Sequence, residues 1–500
     1  MRRHVRITAI LAAAVTPVLA APVASAGSAG PPPAVPAVHV SFVRNVSGTS
    51  PWQGLSCNAT NAGTTDTLSV GEPDIAVNPR NPLNEIATWM DLYRDNIDTA
   101  YTMNGGATWY RSIPMGLNDC SGVSPLNPSI EGAYDTTVSF GPNGVAYLSS
   151  MEDEHYLLPP TSQYAEWTDV QRSTDGGATW SAPAQIPNPL NADDKDMVFA
   201  DRYQPQDVYV AFRNASFGLI PPPRGVGALL FSRSVNGGRS FTTSTLFSTG
   251  STQAAPYDSQ LAQTRHALVY TYDADTAGTG APESEAVTST DQGLHWSAPA
   301  EVAPAINSPT PQVCAGDLQT RSDGGHDTIV GDGTVALVRV DNGPDGTGPG
   351  RVLLSRSSDG GRKWTTSVVL TTKQAIMEAQ IAGDARGRLA LVYYELDLSH
   401  VRCGTGGAAV IPARTVVQVS SDLGRTWSEP QTIGAPWWNV ASAGLKNFTF
   451  GYWVGEYFSV RATAGGFATV TIQGTPLARS RQSPQIIGEN SVVTAQVRVP

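Results

Sequence analysis

Charged side chains are scarce in this 500-residue chain, in which Asp, Glu, Lys and Arg together make up 15% of the residues. The formal net charge is -11 and no segment after residue 26 is rich in Lys and Arg, which argues against nucleic acid as a partner. Cysteine is also rare, with four residues, and neither a Cys-x-x-Cys nor a His-Glu-x-x-His motif occurs. A zinc site is therefore not predicted.

Glycine and proline are abundant instead, with 49 and 37 residues. This composition is typical of many short elements joined by tight turns, and helix-rich domains rarely show it. A hydrophobic content of 40% in a chain of this length is enough for a sizeable core. The composition therefore favours an all-β fold.

The N-terminal segment reads as an export signal. A basic start, "MRRHVR", precedes the apolar run "ITAILAAAVTPVLAAPV", and the small residues Ala24, Ser25 and Ala26 follow it. The run is interrupted by Pro17 and no stop-transfer segment follows, so we predict a signal peptide over residues 1–26 and no integral membrane anchor. The mature protein is predicted to be secreted and extracellular, with a Pro/Gly-rich leader over residues 27–37.

The four cysteines of an exported chain are expected to form disulfides. Three pairings are open, of which we favour the scheme that joins sequence neighbours, Cys57 with Cys120 and Cys314 with Cys403. Two such disulfides would each link segments that are neighbours in the sequence.

A short phrase, Ser-x-Asp-x-Gly-x-x-Trp, recurs along the chain. Its clearest copy is Ser173, Asp175, Gly177 and Trp180. Six copies, two of them with Asn in place of Asp, end at residues 109, 180, 241, 296, 364 and 427. Each predicts a hairpin turn, because the Asp or Asn side chain accepts backbone N–H groups, the Gly supplies positive φ and the aromatic ring packs on the sheet.

This phrase resembles the Asp box, or bacterial neuraminidase repeat, of the sialidase superfamily. The resemblance implies a β-propeller and, as function, a glycoside hydrolase of the exo-α-sialidase type, or a relative that acts on another sugar, with a glycan or glycoconjugate as substrate. In that superfamily the boxes lie at the blade periphery, away from the catalytic centre. We therefore interpret every box residue as architectural.

A second repeat places an acid before a short apolar strand in most units. The acids are Asp74, Asp135, Asp196, Asp258, Asp327 and Glu378. Four short strands per unit of about 60 residues is the pattern of a propeller blade. A last unit without a box, "GYWVGEYFSVRATAGGFATVTIQG", would be completed by "SVVTAQVRV" and by "VHVSFVRNV" at 38–46, closing the ring. We predict a seven-bladed β-propeller of four-stranded blades over residues 38–500, with the six blades of known sialidases as the alternative.

The acids would gather around one mouth of the central channel. One interpretation is architectural, each acid bonding a turn or the backbone of a neighbouring blade. Another is a ring of carboxylates that holds a cation such as Ca²⁺. No other cofactor is predicted.

The last unit has Glu456 and Tyr457 where other units have the acid. Sialidases use a Tyr nucleophile from a late blade, assisted by a Glu, with an Asp as acid/base. The resemblance therefore implies Tyr457 as nucleophile. Its base would be Glu378 or Glu456, and its acid one of Asp74, Asp135 and Asp153. Ordinary core packing of Tyr457 is the alternative.

The chain departs from the sialidase pattern at the substrate-binding arginines, because Asp74 stands where the first of three is expected. An acid there would repel a carboxylate, so a neutral or cationic ligand, or a metal, suits the pocket better. Other arginines near the inner and second strands could take the place of the expected ones. The predicted substrate-binding residues are Arg202, Arg213, Arg265, Arg461, Asp196 and Asp258. The competing prediction is a non-catalytic propeller that binds glycan, protein or metal through the same face. We expect a monomer.

Overall fold

The structure is a computed structural model that describes most of the chain after residue 36. The described ranges are 37–55, 68–93, 95–117, 120–122, 132–158, 161–188, 193–214, 227–248, 257–274, 283–309, 311–314, 316–318, 328–331, 333–404, 409–443 and 452–500. The predicted signal peptide and all but the last residue of the predicted leader lie outside them. Among the described residues, no helix has the length and apolarity needed to cross a membrane.

Seven antiparallel sheets of four or five strands form the blades of the ring, which confirms the all-β fold and the count of seven blades. From the ring axis outward, the first blade consists of β2 (Val70–Val77), β3 (Glu85–Asp91), β4 (Asn96–Thr102) and β5 (Tyr110–Ser112). The second consists of β6 (Gly132–Phe140), β7 (Ala146–Leu158), β8 (Thr161–Ser173) and β9 (Ala184–Gln185). The third consists of β10 (Asp193–Ala200), β11 (Val208–Asn214), β12 (Ala228–Ser234) and β13 (Thr242–Ser248).

The next three blades follow the same order. The fourth blade consists of β14 (Tyr257–Gln263), β15 (Leu268–Ala274), β16 (Glu283–Ser289) and β17 (Ala300–Ala303). The fifth consists of β20 (Thr328–Ile329), β21 (Val335–Asp341), β22 (Arg351–Ser357) and β23 (Thr365–Thr371). The sixth consists of β24 (Ala375–Gly383), β25 (Leu389–Leu396), β26 (Pro412–Ser420) and β27 (Gln431–Asn439), with β30 (Pro476–Ala478) as a fifth strand. A small hairpin, β18 (Gln312–Val313) and β19 (Gly316–Asp317), precedes the fifth blade. Helix is limited, in the described residues, to α1 (Val440–Ala443) and a 3₁₀ turn at Leu398–His400.

Both chain ends build the seventh blade. It consists of β28 (Ser459–Thr463), β29 (Gly466–Gly474) and β31 (Asn490–Arg498), and β1 (His39–Asn45) pairs antiparallel with β31 at its outer edge. The inner strands contact one another in a closed cycle, β2 with β6 and finally β28 with β2. The two terminal segments therefore close the ring, as the sequence predicts.

The six boxes are the turns between the third and fourth strands of the first six blades. In each, the Ser or Thr hydroxyl donates to the Asp or Asn Oδ1 at 2.8–2.9 Å and accepts the Gly N–H at 2.8–3.2 Å. The same Oδ1 accepts the backbone N–H four residues later at 2.8–3.1 Å. The predicted turn chemistry is confirmed.

The boxes also join each blade to the preceding one, a role that the sequence did not reveal. The turn glycine packs so closely that a Cβ on Gly293 would lie 2.2 Å from the Phe231 ring of the third blade. The aromatic residue of the same box also contacts the preceding blade, since the Trp296 ring makes an edge contact with the Phe231 ring at 4.9 Å between centroids. Since the apolar clusters also lie between adjacent blades, the core of the protein is a series of blade interfaces.

A buried carboxyl group lies at the junction of the seventh and first blades. The amide of Gln496 on β31 donates to both carboxyl oxygens of Glu85 on β3, at 3.0 and 2.9 Å. Burial raises the pKa of Glu85 to about 7, against the lowering effect of Gln496. Ring closure therefore depends on a carboxyl group that prefers to be protonated.

We expect Glu85→Gln to raise the stability at pH 8 by on the order of 1–2 kcal/mol and to leave it nearly unchanged at pH 5. The pKa of Glu85 is higher in the folded than in the unfolded chain. Its contribution to stability is therefore complete below about pH 4.5 and is lost as the pH rises through about 7. Urea unfolding of both proteins at the two pH values measures this, and an equal effect at both would contradict it.

One predicted disulfide lies within the described residues. Cys314, beside β18, is bonded to Cys403 in the loop between β25 and β26, which confirms this pairing. Cys120 is also disulfide-bonded, and Cys57, its predicted partner, lies outside the described residues. Structural disulfides are typical of proteins that fold in an oxidising compartment.

Candidate functional site

The inner strands set the two faces of the ring. Because neighbouring strands are antiparallel, the turns after the first and third strands of each blade lie on one face, which we call the turn face. The inner strands begin at the opposite face, which we call the entry face. The box residues therefore lie on the turn face. The acids Asp74, Asp135, Asp196 and Glu378 were predicted to precede the inner strands, but they lie within these strands, near the middle.

Each of three consecutive inner strands breaks its pairing register near its start. The register shifts lie between Gly71 and Asp74 in β2, between Tyr134 and Thr136 in β6, and between Asp194 and Met197 in β10. A residue inserted in this way is a β-bulge, which bends the strand and redirects a side chain. These bulges therefore determine which side chains reach the mouth of the channel.

The first residue of each bulge has a left-handed backbone conformation. The φ values are 48° for Glu72, 37° for Asp135 and 54° for Lys195, and these are three of the eight non-glycine residues with positive φ in the described chain. Such a conformation is unfavourable for a residue with a side chain and persists only where the surrounding structure enforces it. Three strained residues in one place mark this region as a site.

The three side chains meet with a fourth, Glu456, which lies three residues before β28. We call Glu72, Asp135, Lys195 and Glu456 the mouth cluster. The Lys195 ammonium forms an ion pair with Glu456 and lies 3.3 Å from Glu72 Oε1 and 3.6 Å from Asp135 Oδ1. The backbone N–H groups of Lys195 and Glu456 donate to Asp135 and Glu72, respectively. Four blades thus contribute to one hydrogen-bonded group.

Burial and charge separate the pKa values of the carboxyl groups in the cluster. Burial raises the pKa of Glu72 well above its ordinary value, against the opposing effect of Lys195. Asp135 is buried as well, but Lys195 and a hydrogen bond from Glu72 outweigh burial and lower its pKa. The carboxylates likewise raise the pKa of Lys195. The surroundings therefore favour the protonated form of Glu72, the ionised form of Asp135 and the charged form of Lys195.

The four side chains of the mouth cluster differ in how much of each is exposed to solvent. The side chain of Glu456 is 17% exposed, that of Lys195 13%, that of Asp135 8% and that of Glu72 1%. A ligand at the mouth would therefore meet Glu456, Lys195 and Asp135, while Glu72 lies behind them.

The Tyr457 hydroxyl lies beside the cluster and is held by the backbone of β6. It accepts the Thr136 N–H at 2.9 Å and donates to the Thr136 carbonyl at 3.2 Å. Burial, with the neighbouring Glu72 and Asp135, raises the pKa of Tyr457 well above its ordinary value. Lys195 Nζ lies 6.0 Å from the ring centroid. The nucleophilic role of Tyr457 stays a prediction.

The other predicted catalytic acids lie elsewhere. Asp74 is buried, accepts the N–H of Val138 in the second blade at 2.9 Å and pairs with Arg461 at 2.9 Å. This contact joins two blades, as the architectural interpretation expects. Glu378 is a bulge residue of β24, and its charge acts on the buried Tyr394. The side chains of Asp153 and Asp258 and the whole of Asp327 lie outside the described structure.

Of the predicted substrate-binding arginines, Arg213 lies near the mouth cluster, where its charge helps to lower the pKa of Asp135. Arg213 is paired with Asp194, and Arg461 with Asp74. Arg202 and Arg265 follow the inner strands β10 and β14 and therefore lie on the turn face, where Arg265 lies 6.0 Å from the Tyr203 ring centroid. Asp196 is buried next to Lys195, and burial raises its pKa well above the ordinary value.

Two members of the mouth cluster, Glu72 and Lys195, were missed by sequence reasoning. The repeat aligned Asp74, Asp135 and Asp196, whereas the bulges bring Glu72, Asp135 and Lys195 to one level. A Lys amid three acids in "DDKD" was the signal that could have indicated an ion-paired site.

The described side chains offer no group of three or more His, Cys, Asp or Glu arranged to hold a metal ion. Calcium binding by the carboxylate ring stays a prediction, since the Asp258 side chain and the whole of Asp327 lie outside the described structure.

With the fold and the site described, the class of the protein is clear. Residues 171–182 match the family model of the BNR/Asp-box repeat, which coincides with the second box. The protein is a seven-bladed β-propeller with BNR/Asp-box turns, and the resemblance predicted from the sequence is confirmed for the repeat and the fold. No curated protein matches its sequence.

Solved structures with a similar fold share little sequence with it. A protein of unknown function from Dyadobacter fermentans is 11% identical, covering 93% of this chain and 100% of that chain, with a TM-score of 0.43. The leech intramolecular trans-sialidase is 12% identical, covering 66% of each chain, with a TM-score of 0.42. The α-L-arabinofuranosidase of Fusarium graminearum is 14% identical, covering 87% and 94%, with a TM-score of 0.43. Identities this low bear on the fold alone.

Proposed function

We propose that the protein is a secreted, glycan-active propeller that hydrolyses glycosidic bonds of uncharged sugars at the mouth cluster. The observation that carries this proposal is the convergence of Glu72, Asp135 and Lys195 from three strained bulges, with carboxyl pKa values shifted in opposite directions. A pair of carboxyl groups whose surroundings separate their pKa values is the usual signature of an acid and its partner base.

Each residue of the cluster then has a role. Glu456, the most exposed carboxylate, attacks the anomeric carbon or activates water for that attack. Glu72, whose raised pKa favours its protonated form, is the source of the proton for the departing glycosidic oxygen. Its proton passes along their hydrogen bond to the Asp135 carboxylate, which delivers a proton to the glycosidic oxygen and is ionised again, so that Glu72 ends the step as a carboxylate. Asp135 and Glu456 contact one nitrogen atom, that of Lys195, so they lie closer together than the ~6.5–9.5 Å of inverting enzymes. This supports a retaining mechanism.

An uncharged sugar suits the cluster better than sialic acid. Three carboxyl groups surround one ammonium, and the nearby Arg213 is already paired with Asp194. An anionic sugar would have to break that ion pair to gain a bidentate contact. The exo-sialidase activity implied by the box repeat is thus the second choice within the hydrolase class.

The hydrolase proposal is tested with fluorogenic 4-methylumbelliferyl glycosides of neutral hexoses, pentoses and sialic acid. We expect turnover of at least one neutral glycoside, and a loss of about 100-fold or more in kcat for Glu456→Gln and Asp135→Asn, as is usual for general acid–base groups. Glu301→Gln, which changes an exposed acid on the outer strand β17, serves as the matched control and should retain full activity. Tyr457→Phe tests the nucleophile implied by the sialidase resemblance.

A propeller that binds glycan without cleaving it is the second candidate. It is favoured by the Lys195–Glu456 ion pair, which engages the carboxylate that would attack, and by the backbone contacts of Tyr457. Absence of turnover across the panel, together with glycan-array binding that is lost in Glu456→Gln, would replace the hydrolase proposal with this one.

A further inference from the structure

A cavity of about 230 Å³ lies on the ring axis, on the turn-face side of the mouth cluster. All seven inner strands line it, through their later residues, such as Ala76 of β2, Ser139 of β6 and Ile381 of β24. We call it the axial cavity. It is distinct from the mouth cluster, whose residues precede or begin the same strands.

The charge of the axial cavity is opposite to that expected from the acidic chain. Among the described residues that line it, the charged side chains are Arg202 and Arg461, and both are cations. At a net charge of -11 for the whole protein, two arginines on one axial cavity form a local concentration of positive potential.

Arg461 keeps hydrogen-bonding capacity despite its ion pair. Its guanidinium contacts Asp74 at 2.9 Å and the Val460 carbonyl at 3.2 Å, which uses two of five N–H donors. Asp74 also accepts the N–H groups of Ile75 and Val138 and is 1% exposed, whereas the Arg461 side chain is 26% exposed. The carboxylate is thus bound to the backbone, and Arg461, which lines the axial cavity, is the more accessible partner of the pair.

The polar side chains of the lining add donors. Ser139 Oγ accepts the N–H of Ala200 at 3.0 Å, and Thr328 Oγ1 accepts the N–H of Gly383 at 2.7 Å. Each hydroxyl therefore has its O–H to donate. The amide oxygen of Gln263 already accepts the N–H of Arg202 at 2.8 Å. The lining is consequently rich in donors that can meet a ligand.

We propose that the axial cavity binds a small oxyanion of the carboxylate or phosphate class, held by Arg461 and Arg202. Donor groups with two guanidinium ions in a partly enclosed space favour anionic oxygens, which form the strongest hydrogen bonds with arginine. The cavity has room for a small oxyanion such as a phosphate or a tricarboxylate. Because it is lined by the later residues of the inner strands, it is separate from the proposed glycan site at the mouth cluster.

The test is calorimetric titration of the full-length protein, in separate arms, with inorganic phosphate and with citrate. We expect saturable binding in at least one arm, and the arm that binds identifies the ligand chemistry. Arg461→Gln and Arg202→Gln should each weaken binding by about tenfold or more. Glycerol, which is neutral, should not bind.

Arg386→Gln is the matched control. Arg386 is exposed on the turn face and does not line the axial cavity, so its replacement should leave the affinity unchanged. An equal loss in Arg386→Gln, or no saturable binding in either arm, would overturn the proposal. Should Arg461→Gln not fold, Arg461→Lys and Arg202→Gln still decide the question, because Arg202 forms no side-chain ion pair with another described residue.

Discussion

Replacing Lys195 by methionine is expected to lower the free energy of unfolding by about 3–5 kcal/mol, because removing one partner of a buried ion pair leaves uncompensated charge. The ammonium forms an ion pair with Glu456 and lies within 4 Å of Glu72 and Asp135, and its side chain is 13% exposed. Urea unfolding at pH 8, followed by tryptophan fluorescence, measures the loss.

The loss should depend on pH in a defined direction. Burial raises the pKa of Asp135, and the Lys195 ammonium is the largest of the effects that lower it, so the folded-state pKa of Asp135 is higher in the variant than in the wild type. A group shifted upward contributes stability at low pH and loses it as the pH rises through the folded pKa. The variant should therefore be closest to wild type near pH 4 and furthest from it at pH 8.

Lys373→Met provides the control, because Lys373 is exposed and its replacement should change stability by less than about 0.5 kcal/mol. A loss below about 1 kcal/mol for Lys195→Met, or an equal loss at all pH values, would mean that the mouth cluster is not held together by this ammonium.

The architecture could be predicted from the sequence because its determinants are local. A box turn needs an acceptor at Asp175, a hydroxyl at Ser173 and a glycine at Gly177, all within five residues, and the hydrogen bonds form between these groups. Ring closure was predictable for a related reason, since two strand-like segments at opposite chain ends lacked partners and pair as β1 and β31.

The candidate site was only partly predictable, because the bulges change the register by amounts that the sequence pattern does not encode. The shift in β6 spans one residue, Asp135, whereas those in β2 and β10 span two. Aligning the acids of the repeat therefore placed Asp74 and Asp196 at the mouth in place of Glu72 and Lys195.

The ion pairs between blades could not be predicted from the sequence either. The partners of Lys195 are 60 residues or more away along the chain, in the first, second and seventh blades. A lysine between two aspartates reads locally as a solvated surface residue, and only the packing of inner strands shows that it is buried among acids.

Replacing Gly361 by alanine is expected to lower the free energy of unfolding by about 2–5 kcal/mol, the second of the two largest effects. Gly361 has φ of 88°, which costs an alanine roughly 1–2 kcal/mol. A Cβ there would also lie 2.8 Å from Thr288 and from Val269 of the preceding blade, and such overpacking costs about 1–3 kcal/mol. Urea unfolding measures the sum.

The adjacent Gly360 separates the two costs. It lies in the same turn with φ of 78°, but a Cβ on it would meet its nearest neighbour, Ala267, at 3.6 Å, an ordinary contact. Gly360→Ala should therefore show the backbone cost alone, and the difference between the two variants is the cost of forcing two blades apart. If both variants lose the same amount, the box glycine serves its own turn and not the blade interface, and the box repeat would no longer explain how neighbouring blades are joined.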